Sequence, residues 1–240
     1  MLYYELLLIY CLLEADTDMK VEMHTHTSET SPCAHICAQD VIKMYKEAGY
    51  DTVVITDHYS KWVFEKNGAK TPDEVTSHFL KGYKTALGCA EIYDINVLLG
   101  CEVTLTESPN DYLLYGVNED FFHTHPFLYN LSLEELSEIC HNENILIVQA
   151  HPNRAYCEPV NPALLDGAEV FNGNPRHDSN NDKTYAWAYE HDLIMTSGSD
   201  FHEKEDLALG GIITEYDIKT ENDLIQTLLS GDYSLITPVE

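Results

Sequence analysis

Positive charge is what this chain has least of. Lysine and arginine number 13 against 41 aspartates and glutamates, and the net charge over 240 residues is -28. A surface that acidic repels nucleic acid and anionic lipid, so an open track for long polyanions is excluded. A small phosphate compound stays admissible wherever bound cations reverse the local field. Arginine is scarcer still, with only Arg154 and Arg176. The seven cysteines include no Cys-x-x-Cys pair. An odd count without that spacing points to free thiols in a reducing compartment, hence the cytoplasm, rather than to a disulfide frame.

Long apolar runs are missing too. Residues 1–13 are strongly apolar but fall short of the roughly 20 residues that span a bilayer. They lack the basic start and small-residue cleavage site of a secretory signal. Met19-Lys20, directly before the first strand-like run, reads as a more natural start. Residues 1–18 are therefore expected to be a leader beside a domain of 19–240. No Pro/Gly/Ser-rich linker, low-complexity tract or longer repeat divides the remainder. A chain of this length buries enough surface to fold without a disulfide or a structural metal.

What is present alternates strand and helix. Lys20–Thr27 reads as a strand, and Asp40–Ala48 as a helix closed by Gly49. Asp51–Thr56 is a β-branched run ending in Asp57-His58. Residues 72–93 form a long helical stretch opened by Pro72-Asp73-Glu74, and Ile95–Leu99 is a strand running into Glu102. Tyr112–Val117 is a further strand, followed by a loop with His123 and His125. Ser132–His141 is a helix with a capping-box start, Ser132 and Glu135. Strands at Ile145–Gln149, Ala168–Phe171 and Leu193–Thr196, a helix at Asp182–His191, and a last strand-helix unit over Gly211–Leu229 complete the series, with Tyr233–Ile236 closing the chain. About seven alternations in one domain predict an α/β barrel; an open doubly wound sheet is the alternative.

In such barrels the chemistry gathers at the C-terminal strand ends. Here those ends carry His24 and His26, Asp57-His58, Glu102, His151, and Asp200 with His202. In an extended segment side chains two apart share a face, so His24 and His26 project together, and Asp200 and His202 repeat that spacing. Imidazoles and carboxylates together are ligands for borderline divalent metals. Asp57 is expected to orient His58. His78, His141 and His191 fall on helices, where a solvated role is expected, while His123 or His125 is a candidate to complete a metal shell.

The order His-x-His, Ile-Thr-Asp-His, a Gly-x-Glu strand end, His-Pro and Gly-Ser-Asp-x-His resembles the polymerase-and-histidinol-phosphatase (PHP) family, from about Lys20 to the C-terminus. The resemblance implies a distorted (β/α)7 TIM-like barrel, two or three divalent ions (zinc, manganese or iron) and phosphoesterase activity. By position it implies that His24, His26, Glu102 and Asp200 hold one ion. Glu102 would bridge to a second, also bound by His151, and His58 and His202 would hold a third. The family's third site takes an Asp or His a few residues beyond the opening His-x-His. Here that loop reads Thr27-Ser28-Glu29-Thr30-Ser31-Pro32, so Glu29, its carboxylate, is taken as the ligand. A histidine expected near the fourth strand is absent from Tyr112–Val117, and His123 is the stand-in.

The activity implied is hydrolysis of a small phosphorylated metabolite, histidinol phosphate among the candidates, by a metal-activated hydroxide. Arginine's planar fork suits phosphate oxygens, so Arg154 and Arg176 are expected to bind the substrate, with Asn172 beside them. His177 is expected to protonate the leaving alkoxide. Three alternatives remain: a phosphodiesterase or exonuclease trimming short nucleotides, a non-catalytic metal-binding regulatory domain, and an amidohydrolase.

Overall fold

A computed structural model describes residues 18–238. The leader expected over residues 1–18 thus lies, Asp18 apart, outside the described residues. Among the described residues ten strands form one sheet: β1 (Met19–Thr25), β2 (Thr52–Ile55), β3 (His58–Ser60), β4 (Asn96–Thr104), β5 (Asp111–Tyr115), β6 (Leu146–Gln149), β7 (Gly167–Asn172), β8 (Ile194–Gly198), β9 (Ile212–Thr214) and β10 (Ser234–Leu235). Their order is β10-β9-β1-β2-β4-β5-β6-β7-β8, with β3 also paired to β4.

The sheet curls until its far end meets β1. Thr25 bridges Phe201 in parallel, the His26 amide donates to the Phe201 carbonyl at 3.0 Å, and the Phe201 amide donates to the His24 carbonyl at 3.1 Å. The result is a nearly closed barrel, and the open doubly wound alternative is set aside. Its distortion has a concrete form: β5 runs antiparallel to both β4 and β6, and β9 antiparallel to β1.

Strand side chains alternate between a core inside the barrel and one beneath the helices. Val21, Met23, Val54, Leu98, Leu113, Tyr115 and Val148 fill the inside, plugged by Leu224 and Leu228 of the Glu221–Ser230 helix. On the outside, Val41, Ile42 and Tyr45 of the Ala38–Glu47 helix pack against Val53 and Ile55. The long helix occupies Pro72–Tyr93 and starts in a capping box, Thr71 accepting from the Glu74 amide and Glu74 from the Thr71 amide. The Leu133–Asn142 helix begins the same way at Ser132 and Glu135. Helices at Lys61–Asn67 and Glu119–Thr124 were not evident from periodicity, the second occupying the expected His123 loop. Among the described residues no helix is long and apolar enough to cross a membrane.

Candidate metal centre

A one-residue irregularity in β1 aims the first two imidazoles. Glu22 pairs with Val53 and Thr25 with Ile55, so three steps on β1 match two on β2. Such a bulge switches the face that later side chains occupy. Glu22 therefore stays on the helix side, where its carboxylate accepts from the Ser199 amide at 2.9 Å and the Ser199 hydroxyl at 2.5 Å. His24 and His26 turn into the barrel. Closure through Phe201 then sets Asp200 and His202 directly beside them. Glu102 arrives from β4, two residues past Gly100, where a Cβ would stand 2.8 Å from the Val54 and Thr56 side chains. His151 and Asp200 adopt positive φ, 31° and 50°. A left-handed conformation costs a non-glycine residue roughly 1–2 kcal/mol, and such strain persists only where surrounding structure holds it.

Glu102 lies at the middle. Its Oε1 is 3.2 Å from His24 Nε2 and 3.2 Å from His151 Nε2. Its Oε2 is 3.4 Å from His26 Nε2 and 2.6 Å from His58 Nδ1. Asp200 Oδ1 is 3.6 Å from His24 Nε2, 3.4 Å from His26 Nε2 and 3.4 Å from His202 Nδ1. Three overlapping groups each bring their ligand atoms within 4.8 Å of one another: His24, His26 and Glu102; Glu102, Asp111 and His151; His26, His58 and His202. Of their members, His58, Glu102, Asp111, His151 and His202 line a pocket of about 270 Å³.

The donors fit a bound cation. His24 Nε2, His26 Nε2 and Glu102 Oε2 are buried without a hydrogen-bond partner; the close His58 approach to Glu102 lacks hydrogen-bond geometry. Each such orphan costs roughly 1–3 kcal/mol in an otherwise satisfied interior, and one ion among them would satisfy all three. His24 Nδ1 meets Glu169 Oε1 at 2.8 Å, which fixes the ring with Nε2 facing Glu102 and Asp200. Charge is strongly coupled here. Burial opposes ionisation of Glu102 and Asp200, yet the imidazoles around them, His24 foremost, hold both well below the usual carboxylate range. Burial, then the neighbouring His58 and His202, push His26 well below its ordinary value.

Seven of the eight expected metal ligands converge here: His24, His26, His58, Glu102, His151, Asp200 and His202. Glu29 does not. Both its oxygens accept from the Ala38 amide, at 3.1 and 3.0 Å, capping the Ala38–Glu47 helix instead. His123 is exposed on its helix, and His125 pairs with Glu143 at 2.6 Å, so neither completes the shell. Asp57 accepts from the Thr27 amide and the Ser31 hydroxyl, so it holds the loop after β1 and reaches His58 only through Ser31, whose hydroxyl accepts from the His58 amide. His78 is buried against the Thr30 carbonyl rather than solvated; His141 and His191 are exposed.

The expected substrate residues divide. Arg154 lines the pocket, with Nη2 donating to Asp200 Oδ2 and Asn172 Oδ1, both at 2.7 Å. Among the described residues its Nη1 has no partner. Arg176 also lines the pocket, but its fork is engaged by buried Asp206 at 2.7 and 2.8 Å. Asn172 is buried, donating to Glu169 and accepting from Arg154, so it buttresses the site. His177 is exposed at the pocket's edge, its pKa lowered by partial burial and then by Arg154.

Three participants escaped the sequence reading. Asp111 opens β5; because that strand is antiparallel, its beginning rather than its end reaches the mouth. Glu169 is a lone acid inside the apolar strand β7, a signal that was legible. Cys33 lines the pocket and its thiol is pulled down to about 6: burial raises it, but hydrogen bonds with His202 and His58 outweigh that.

The PHP domain family model matches residues 22–229. No curated protein matches the chain. Among solved structures, a two-domain protein from Bacteroides vulgatus containing a predicted PHP-like metal-dependent phosphoesterase superposes with a TM-score of 0.68 at 12% identity. The match covers 92% of this chain and 65% of that one, so this chain spans just under two thirds of that protein. PsfC from Pseudomonas syringae gives 0.65 at 14% identity, covering 92% of each chain. The lesion-specific endonuclease PfuEndoQ from Pyrococcus furiosus gives 0.65 at 16% identity, over 91% of this chain and 57% of that one. At such identities the likeness is one of fold.

Proposed function

The chain belongs to the PHP domain family of metal-dependent phosphoesterases, and we propose that it hydrolyses the phosphomonoester of a small phosphorylated metabolite. The observation that carries this reading is Glu102: one buried carboxylate among four imidazoles, with orphaned donor atoms on either side, beneath a small pocket walled by Arg154. His24, His26, Glu102 and Asp200 would hold a first divalent ion, Glu102, Asp111 and His151 a second, and His58 with His202 a third. Zinc, manganese and iron all suit such nitrogen and oxygen donors. When bound, the ions supply Lewis acidity toward phosphoryl oxygens and a water acidified to near neutrality.

The remaining work falls to the chain. Arg154, fixed from below by Asp200, Asn172 and Ser179, keeps Nη1 free to take a non-bridging phosphate oxygen. Asn172 locks both Arg154 and Glu169, so the guanidinium and the His24 ring are oriented by one amide. His177 stands at the pocket's edge in reach of solvent and donates the proton that the leaving alkoxide needs. Its lowered pKa favours the neutral ring in the free protein, and an entering phosphate, as an opposite charge, restores the imidazolium.

A phosphodiesterase acting on short nucleotides is the second reading, supported by the fold shared with the Pyrococcus furiosus endonuclease. The net charge of -28 weighs against long nucleic acid in either case. Zinc- or manganese-loaded protein assayed on p-nitrophenyl phosphate and bis-p-nitrophenyl phosphate separates the two. Faster cleavage of the monoester is expected. Preference for the diester favours the second reading, and metal binding without hydrolysis of either refutes both.

A further inference from the structure

The outermost donor group differs from the other two in having no carboxylate. His26, His58 and His202 present only imidazole nitrogens to one another. The His26 ring lies 4.2 Å, centroid to centroid, from both His58 and His202. His26 is fully buried and its Nε2 has no hydrogen-bond partner.

Cys33 stands against the same group. It lines the pocket beside His58 and His202. The segment that carries it is fastened from both sides. The Ser31 hydroxyl donates to Asp57 at 2.6 Å, the Ala34 amide donates to the Ser31 carbonyl at 3.0 Å, and the His35 amide donates to the carbonyl of His202 at 3.0 Å. The last of these is a backbone bond to a residue of the group itself, two positions past Cys33, and it holds the loop against the group. Glu29, the carboxylate of this loop, is turned away to cap a helix.

We propose that the Cys33 thiolate is a direct ligand of the ion held by His58 and His202, which makes this position a sulfur-and-nitrogen site within an otherwise oxygen-and-nitrogen centre. The inference rests on the metal-dependent reading above. Thiolate and imidazole select zinc, iron or cobalt, whereas Glu102 and Asp111 at the neighbouring group are also suited to manganese. The centre is thus built to hold chemically unlike ions side by side.

Cobalt(II) substitution of the purified full-length chain tests this without reference to turnover, because a thiolate bound to cobalt gives a near-ultraviolet charge-transfer band. The band is expected in the unaltered protein and in Cys157→Ala, which removes the other thiol near the pocket, and is expected to vanish in Cys33→Ala. Metal analysis should show one fewer ion per chain in Cys33→Ala. Cys33→Asp should restore that ion without the band. Circular dichroism identifies any variant that merely fails to fold. If cobalt binds and p-nitrophenyl phosphate is cleaved but no band forms, or the band survives in Cys33→Ala, the cysteine assignment is overturned and the phosphoesterase reading stands. If no metal binds at all, both fall.

Discussion

Glu169 is buried behind His24 and governs how that ring presents itself. One oxygen meets His24 Nδ1 at 2.8 Å, and the other accepts from the His151 amide at 3.1 Å and from the Asn172 side chain at 2.9 Å. Two residues of the metal centre therefore take their positions from a single carboxylate. Substitutions at such supporting partners typically cost 10–100-fold in metal affinity. Glu169→Gln should accordingly weaken binding of the first ion by roughly 10–100-fold while the chain stays folded, as competition with a chelator would measure; unchanged affinity removes Glu169 from the centre. Arg154 makes a different kind of prediction. Hydrogen bonds to charged groups contribute about 1.5–3 kcal/mol, so Arg154→Ala should raise KM for p-nitrophenyl phosphate about tenfold or more. An unchanged KM would mean that this guanidinium serves only Asp200, Asn172 and Ser179.

At the scale of the element, the Pro72–Tyr93 helix is fitted to the metal centre through one glycine. A Cβ at Gly82 would stand 2.0 Å from Thr27 Oγ1 and 2.3 Å from Asp57 Oδ2. Those two atoms are hydrogen-bonded to each other at 2.6 Å, in the turn that directly follows His26. Alanine is the better helix former by about 1 kcal/mol, but overpacking costs about 1–3 kcal/mol. Gly82→Ala should therefore lower both the melting temperature and the bound-metal content. A rise in melting temperature would show that the helix does not press on the loop. Elements like this helix were legible because local chemistry wrote them: a capping box and proline at one end, helical periodicity throughout. The ligands at parallel strand ends were legible for the same reason, since apolar runs stop and histidines begin. What stayed hidden was set by pairing partners far away in sequence. The β1 bulge shows only when β2 is aligned beside it, Asp111 requires knowing that β5 runs backwards, and Cys33 enters through a loop whose course is fixed by contacts with Asp57 and His202.

At the scale of the molecule, an interior this polar is a debt that cations are suited to settle. Glu102, Asp111, Glu169 and Asp200 bring four carboxylates to one end of the barrel, among five imidazoles. Arg154 is the fixed cation in contact with this set. In a chain of net charge -28 the rest of the surface adds repulsion and no relief, so the folded state gains from every divalent ion it binds. An ion that binds only the native chain stabilises it by about 2.7 kcal/mol at a hundred times its Kd. For a domain of this size each kcal/mol moves Tm by roughly 2–4 °C. Chelation should thus lower Tm by about 5–10 °C for each tightly held ion, and returning zinc or manganese should restore it. Acidification should mimic chelation, because imidazole must be neutral to bind metal and protons compete for it. Burial opposes protonation of His24, His58, His151 and His202, but their neighbours hold all four above the ordinary value near 6.5, so the shift with added zinc should shrink as pH falls from above that value. A Tm indifferent to chelator at neutral pH would mean that imidazolium and carboxylate balance each other without help, and that the cluster is a self-contained polar core.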